Sequence, residues 1–451
     1  MKRRDFLKAS GVVAAGLTVA RGAQASGDDC IKIGLVGCGG RARGALQDRL
    51  TANDNCKVVA ICDVFEENAK SAAEAFRATE DKRYAFTDDN IFWGFEAYKK
   101  VIDACDQVLI VTTPAFRPIH YLYAVKAGKH VFMEKPCAVD VGGFKLAMEA
   151  NKIAEEKKLV VVVGYQRHYE PSYQQMVEKI AEGAIGDVMY SRVYWNGGGI
   201  WERGRKPGDT EMQYQLRNWY HFNWLCGDGI VEQHCHNIDI ANWVHCKGDF
   251  KGPLSHPVKI NAMGGRQVRR FPRFLDSGYR YDHYFCEFTY ADGSQVFSQC
   301  RHQENTWSNV SETVYGTKGY GDQNHLLARD GSVIWQFGGS DVPGPYQYEH
   351  HKQVEWIRKG EAHNDGWYAA YSSMTASMAR MAGCSGKELD WNDVIANGKD
   401  EFPYEQALNG TMDWDTVPPV VPDTEPPAQP AEGQLIYENS VPVPGEWNWS
   451  K

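Results

Sequence analysis

In the first third of the chain, apolar residues come in short runs set apart by turns and by stretches of helical period. Ile33-Gly34-Leu35-Val36 is the first run. The turn Gly37-Cys38-Gly39-Gly40-Arg41-Ala42 follows it, and a helical pattern begins at Arg43. A second run, 58–62, ends in Asp63. Helical stretches over 66–76, 95–104, 120–128 and 143–157 then alternate with strand-like runs over 107–112, 129–133 and 159–163. Short apolar runs alternating with helices predict βαβ units and a parallel sheet.

The pattern changes after Gly164-Tyr165-Gln166-Arg167-His168, which reads as the exit from a first domain. A helix over 171–183 carries Tyr173, Met176, Val177 and Ile180 on one face. A strand over 187–195, a Gly-rich charged loop over 196–210 and an aromatic segment over 219–224 come next. Runs at 258–263, 284–290, 295–300, 313–315 and 332–337 alternate or are rich in β-formers, with turns such as Asp292-Gly293 between them, and predict an antiparallel sheet. Helices over 346–359 and 367–384 follow. In the second, Met374, Met378 and Met381 fall at helical spacing and read as core. From Thr416 the chain is Pro-rich and without period, so it builds no core of its own.

The order strand, glycine turn, helix is what a dinucleotide needs. Gly37 permits the tight turn, Gly39 lets the backbone approach a pyrophosphate, and Ala42 lets the helix pack closely with its N-terminus on the phosphates. Asp63, at the end of the second run, accepts hydrogen bonds from ribose hydroxyls and repels a 2′-phosphate, which favours NAD over NADP. The chain therefore reads as α/β: a Rossmann domain over 31–164, a second α/β domain with a large open, mainly antiparallel sheet over 165–400, and a Pro-rich arm over 401–451. Trp447 and Trp449 would anchor that arm on a neighbouring subunit or on the first domain.

Composition narrows the partners. The net charge of −9 comes without a basic block, so nothing calls for nucleic acid. The 12 cysteines form no C-x-x-C pair, against a zinc ribbon or a disulfide scaffold. Residues 1–25 are set apart from the fold: Lys2-Arg3-Arg4-Asp5-Phe6-Leu7-Lys8, a small-residue apolar stretch and Ala23-Gln24-Ala25 resemble a twin-arginine export signal cleaved after Ala25. The apolar stretch is too short to span a bilayer comfortably, so no membrane span is expected after processing. Export by this route carries folded protein to the periplasm or beyond, which suits a cofactor loaded in the cytoplasm and held tightly.

Further along, Thr112-Thr113-Pro114 with His120, the stretches AGKHV and MEKP, and VGYQRHYEPSY are similar to the Gfo/Idh/MocA oxidoreductases, a resemblance running from about Lys32 to Trp391. It implies a Rossmann domain and a C-terminal domain whose open sheet is often an oligomer interface. It implies cofactor contacts from Gly37, Cys38, Gly39, Gly40, Arg41, Ala42, Asp63, Thr113, Pro114, His120, Glu134 and Lys135, and substrate or nicotinamide contacts from Arg167 and His168. Lys135, at the carboxyl end of a strand, has an ammonium suited to hold a substrate hydroxyl and a developing alkoxide; a surface ion pair with Glu134 is the plainer alternative. Asn364-Asp365 resembles a family segment near the site, and Arg266 to Arg270 read as a loop.

The second chemical centre is GDGIVEQHCHNIDIANWV, 227–244. Asp228 is placed to cap a helix in which Glu232, His236 and Asp239, at i, i+4 and i+7, share one face. His236 is the expected proton acceptor, Glu232 its helper, Asp239 a substrate contact. In the resembling family His236 matches the catalytic histidine, while Glu232 stands for the usual Asp and His234 for the usual Gly. His234 and His236 are two apart, about 200° around a helix, so one metal ion is not expected between them. The reading is an exported NAD-dependent oxidoreductase acting on a sugar or glycoside hydroxyl. The rivals are a glycosidase using NAD transiently through oxidation, elimination and re-reduction, and a non-catalytic sugar-binding protein that keeps NAD for structure. A homo-oligomer through the second sheet is expected.

Overall fold

A computed structural model describes residues 29–268, 278–341, 343–423 and 437–450. The expected export signal and Arg269-Arg270 lie outside the described residues.

The first layer follows the apolar runs: β1 (Ile31–Val36), α1 (Gly40–Leu50), β2 (Cys56–Asp63), α2 (Glu66–Arg77), β3 (Ile91–Trp93), α3 (Ala97–Ala104), β4 (Gln107–Ile110), α4 (Arg117–Lys126), β5 (His130–Met133), α5 (Val141–Glu156) and β6 (Val160–Val163). Strands β1, β4, β5 and β6 are almost wholly buried, which is why they read as continuous apolar runs and not as alternation. Several starts differ from expectation: α1 opens at Gly40 and not at Arg43, and α3 at Ala97 and not at 95. α4 begins at Arg117, three residues early, because Pro118 fits a first turn that needs no N–H there. α5 begins at Val141 because the buried Asp140 carboxylate accepts from Gly143 N.

The second layer comprises α6 (Pro171–Ala181), β7 (Val188–Gly197), α7 (Glu211–Arg217), α8 (Asn223–Cys226), α9 (Gly229–Glu232), α10 (Cys235–Cys246), β8 (Lys259–Gly265), β9 (His283–Thr289), β10 (Gln295–His302), β11 (Asn309–Gly316), β12 (Gly319–Gly321), β13 (His325–Ala328) and β14 (Val333–Gln336). Then come α11 (Pro345–Lys359), β15 (His363–Asn364), α12 (Gly366–Ser385), β16 (Leu389–Asp390), α13 (Trp391–Asn397) and α14 (Tyr404–Leu408). Strand order is β14-β13-β12-β11-β7-β10-β9-β8-β16, antiparallel except where β7 and β10 run parallel. Alternate residues of β9 and β10 are buried, β9 under α12 and α9 and β10 under α9, whereas the opposite face is only half-buried. Met374, Met378 and Met381 of α12 are fully buried.

The chain leaves the first sheet after β6 and later returns to it. After the second sheet is built, α11 packs against α1 and β6, and β15 pairs parallel with β6, giving the order β15-β6-β5-β4-β1-β2-β3. Asn364-Asp365 therefore lies at a sheet edge. Asp365 accepts there from Tyr169 Oη at 2.6 Å and Val163 N at 3.2 Å. A two-residue strand leaves no period in the sequence, so this return was not legible there.

The described part of the arm lies on the chain's own two domains. Asp140 accepts from Glu401 N, Phe402 N and Tyr404 Oη at 2.7 to 3.0 Å. Trp414, Trp447 and Trp449 pack against the main core.

Candidate active site

The turn after β1 gives way to one continuous cavity of about 730 Å³ between the two sheets. Gly37 sits at φ +97°, and a Cβ there would stand 2.6 Å from Val111 O, so only glycine fits. A Cβ on Gly39 or Gly40 would meet no protein atom within 4 Å. These two glycines thus line open space at the N-terminus of α1, a cradle shaped for a phosphate group. Asp63 reaches the same cavity and accepts from Cys38 N at 2.8 Å, Phe65 N at 2.9 Å and Asn68 Nδ2 at 3.1 Å. Burial, outweighing these bonds, raises its pKa.

Arg41 lines the cavity with its guanidinium 2.5 Å from Glu134, 3.3 Å from Asp48 and 3.8 Å from Glu349, over the ring of Tyr346. Thr113 and His120 border it from the β4 end. His120 packs against the Tyr98 ring, tilted by 33° at 4.2 Å, and burial, aided by Arg117, pulls its pKa down to about 3, so it is neutral. Arg117, a residue the sequence did not single out, braces this corner by donating to Thr112 O and Pro136 O at 2.9 and 2.8 Å.

At the far end β5 delivers Glu134 and Lys135, and α9 and α10 bring Glu232 and His236 to the same wall. Lys135 Nζ donates to the Glu232 carbonyl and stands 3.3 Å from Glu232 Oε1. Burial works against the ammonium, but the adjacent Glu232 carboxylate wins and raises its pKa. For His236, burial and then Lys135 push the pKa well below 6.5, so the imidazole is neutral and able to take a proton. Its Nδ1 is buried with no partner among the described residues, and the Tyr220 hydroxyl stands beside the Glu232 carboxylate. The Trp195 ring stacks at 6.1 Å from His236.

Four expected contacts are not brought to this cavity. Cys38 points its thiol to Cys62 O at 3.3 Å, and Pro114 is buried in the turn before α4. His168 and Asp239 pair with each other at 2.8 Å, with Ser372 Oγ on the other Asp239 oxygen and the imidazole between Trp243 and Tyr368. The expected single helix is broken at Gln233-His234, between α9 and α10. α10 is buried all round, and its Asn237, Asp239, Asn242 and His245 are answered by neighbouring elements. His234 turns to Ser298 Oγ at 2.6 Å, away from His236. Arg167 lines the cavity, but its guanidinium is engaged by Glu312, which also takes bonds from Asn237 and Tyr173.

Residues 31–165 match the oxidoreductase family described as NAD-binding Rossmann fold, and residues 1–20 match the twin-arginine translocation signal sequence. The first domain thus matches the GFO_IDH_MocA model. It is an NAD-binding Rossmann domain, and the glycine cradle and Asp63 fit that cofactor. An inositol 2-dehydrogenase/D-chiro-inositol 3-dehydrogenase of Lactiplantibacillus plantarum is 32% identical over 220 residues, covering 47% of this chain and 52% of that protein. The chain thus spans about half the length of the curated relatives it matches. Two solved structures share the fold. GenD2 from gentamicin A biosynthesis in complex with NAD has a TM-score of 0.59 at 17% identity, covering 85% of this chain and all of that one. A levoglucosan dehydrogenase with NADH and levoglucosan has a TM-score of 0.60 at 16% identity, covering 80% and 99%. The family match stops at the end of the first domain, while Glu232 and His236 stand on the second.

Proposed function

We propose that this protein is an exported, NAD-dependent oxidoreductase acting on a ring hydroxyl of a sugar, glycoside or cyclic polyol. One observation carries the reading: Lys135, Glu232 and His236 share a cavity with the glycine cradle of a NAD-binding domain. Bound NAD supplies a two-electron acceptor or donor. The chain's own groups do the rest. Lys135 donates to the substrate oxygen, moving from its bond to the Glu232 carbonyl. Neutral His236 accepts the hydroxyl proton as the carbon is oxidised, and returns it in the reverse direction. Glu232 keeps Lys135 charged. The inositol dehydrogenase relative and the levoglucosan dehydrogenase neighbour support a cyclic polyhydroxylated substrate. The half-buried outer face of the second sheet supports a second copy of the chain as its cover, and the signal match supports the periplasm as destination.

The test offers the purified protein a panel of cyclic polyols, sugars and glycosides. Reduced-nicotinamide absorbance is followed and products are weighed. A product two hydrogens lighter supports net oxidation. No redox change with any member overturns it. Cleaved glycoside with unchanged cofactor would establish the hydrolytic cycle instead.

A further inference from the structure

The end of the cavity nearest Asp63 is roofed by the rest of the chain. Val64, Phe65 and Asn68 line it from the first domain, and Leu216 and Arg217 from α7. Phe65, only 6% exposed, is held on two sides: the Arg217 guanidinium lies 4.2 Å from its ring centroid, and Trp414 stacks on it at 5.1 Å and 29°. Trp414 also meets Phe95, another cavity residue, edge-on at 4.9 Å. Arg217 is fixed in turn by Glu67 of α2 at 2.6 Å and Asp209 at 3.4 Å. The arm is tied to α7 and not merely laid against it. Thr210 Oγ1, the cap of α7, donates to Trp414 O at 2.8 Å, and Gln215 Nε2 donates to Val420 O at 2.7 Å. Three separate stretches of chain, around 65, 217 and 414, therefore meet at the end of the cavity where Asp63 stands.

We infer that Phe65, Arg217 and Trp414 form a clasp over the adenosine half of NAD, so that the nucleotide leaves only when α7 and the arm lift together. A ring sandwiched between a cation and an indole has no rotamer to swing into, and each contact must break before the roof opens. The consequence is that a substrate able to reduce the bound nucleotide gives one turnover per protein, unless the nucleotide is reoxidised without release.

The experiment loads the full chain with NADH, adds excess ADP-ribose as a trap, and follows loss of bound NADH fluorescence. This readout needs no substrate, so it stands or falls apart from the redox reading above. Release from the unaltered protein should be at least about tenfold slower than from Arg217→Ala or Trp414→Ala, while Trp414→Phe keeps most of the slow release. Glu67→Gln, at a half-exposed position, should speed release with unchanged thermal unfolding and serves if either alanine variant fails to fold. Equal release rates across the unaltered protein and these variants would overturn the clasp.

Discussion

Replacing Glu232 with glutamine removes one charge and keeps the shape, which makes it a sharp probe of Lys135. The ammonium is buried and its nearest carboxylate oxygen, Glu232 Oε1, is 3.3 Å away. At an effective dielectric constant of about 20, that attraction is about 5 kcal/mol, a ceiling for the pair. Breaking buried pairs by removing one partner costs about 3–5 kcal/mol, equivalent to about two to four pKa units. Arg117 adds repulsion, and Glu134 gives back part of the loss. The Lys135 pKa, now raised above 10.5, should fall well below it. The sign of the stability change follows. In the unaltered protein the raised pKa stabilises the fold at every pH below 10.5, and the gain is lost as pH climbs through the folded pKa. In Glu232→Gln the depressed pKa destabilises at neutral pH, and stability recovers as pH rises from the new pKa towards 10.5. The assay is chemical unfolding of nucleotide-free protein from pH 6.5 to about 10. The difference between the two proteins should be largest at low pH and shrink by several kcal/mol towards pH 10. A difference that is constant with pH would refute the claim that Glu232 holds Lys135 charged.

His236→Asn should lower turnover by about 10²–10⁴ with NAD affinity unchanged. Because burial holds the His236 pKa well below 6.5, the acid limb of kcat/KM in the unaltered enzyme should lie below that value, and a limb centred there would mean the ring titrates in water. Gly39→Ala places its Cβ in open space and should leave thermal unfolding unchanged while weakening NAD binding in a titration; Gly37→Ala, at φ +97° against Val111 O, should also cost about 1–3 kcal/mol of stability. Asp63→Ala leaves three donors without their acceptor. It should lose about 1–3 kcal/mol in denaturant melts and much of the preference for NAD over NADP, and an unchanged preference would mean another residue reads the ribose.

What the sequence made legible was local. The glycine turn, Asp63, Glu134 and Lys135 lie within a residue or two of the strand ends that aim them, so a run followed by a turn was enough to find them. Glu232 and His236 were found as polar residues in an apolar stretch, and both do line the cavity. The same argument misplaced Asp239. Helical spacing says which residues share a face, but not whether that face meets a cavity or a neighbouring helix, and here Ser372 and His168 were waiting for it. His168 followed Arg167 in the sequence but turned into an aromatic slot between Trp243 and Tyr368. Arg117 and Arg217 carried no signal, because their partners sit at sequence separations that no period encodes.

The pieces that close the site from outside the first domain have a common origin, which bears on how the site works. Each comes from a segment that returns late in the chain to a surface built early. α11 brings Tyr346 over Arg41, β15 closes the edge of the first sheet, and the arm stacks Trp414 on Phe65. A Rossmann half built from 31–164 alone would offer the dinucleotide an open groove. The returning segments make it a cavity shared by both sheets, with Asp140 tying the arm to α5 through three hydrogen bonds. Contacts of such sequence separation form only when both domains are in place. The cavity that would hold the cofactor is therefore complete only in the fully folded chain, and a twin-arginine signal on a protein of this construction is consistent with cofactor capture before export.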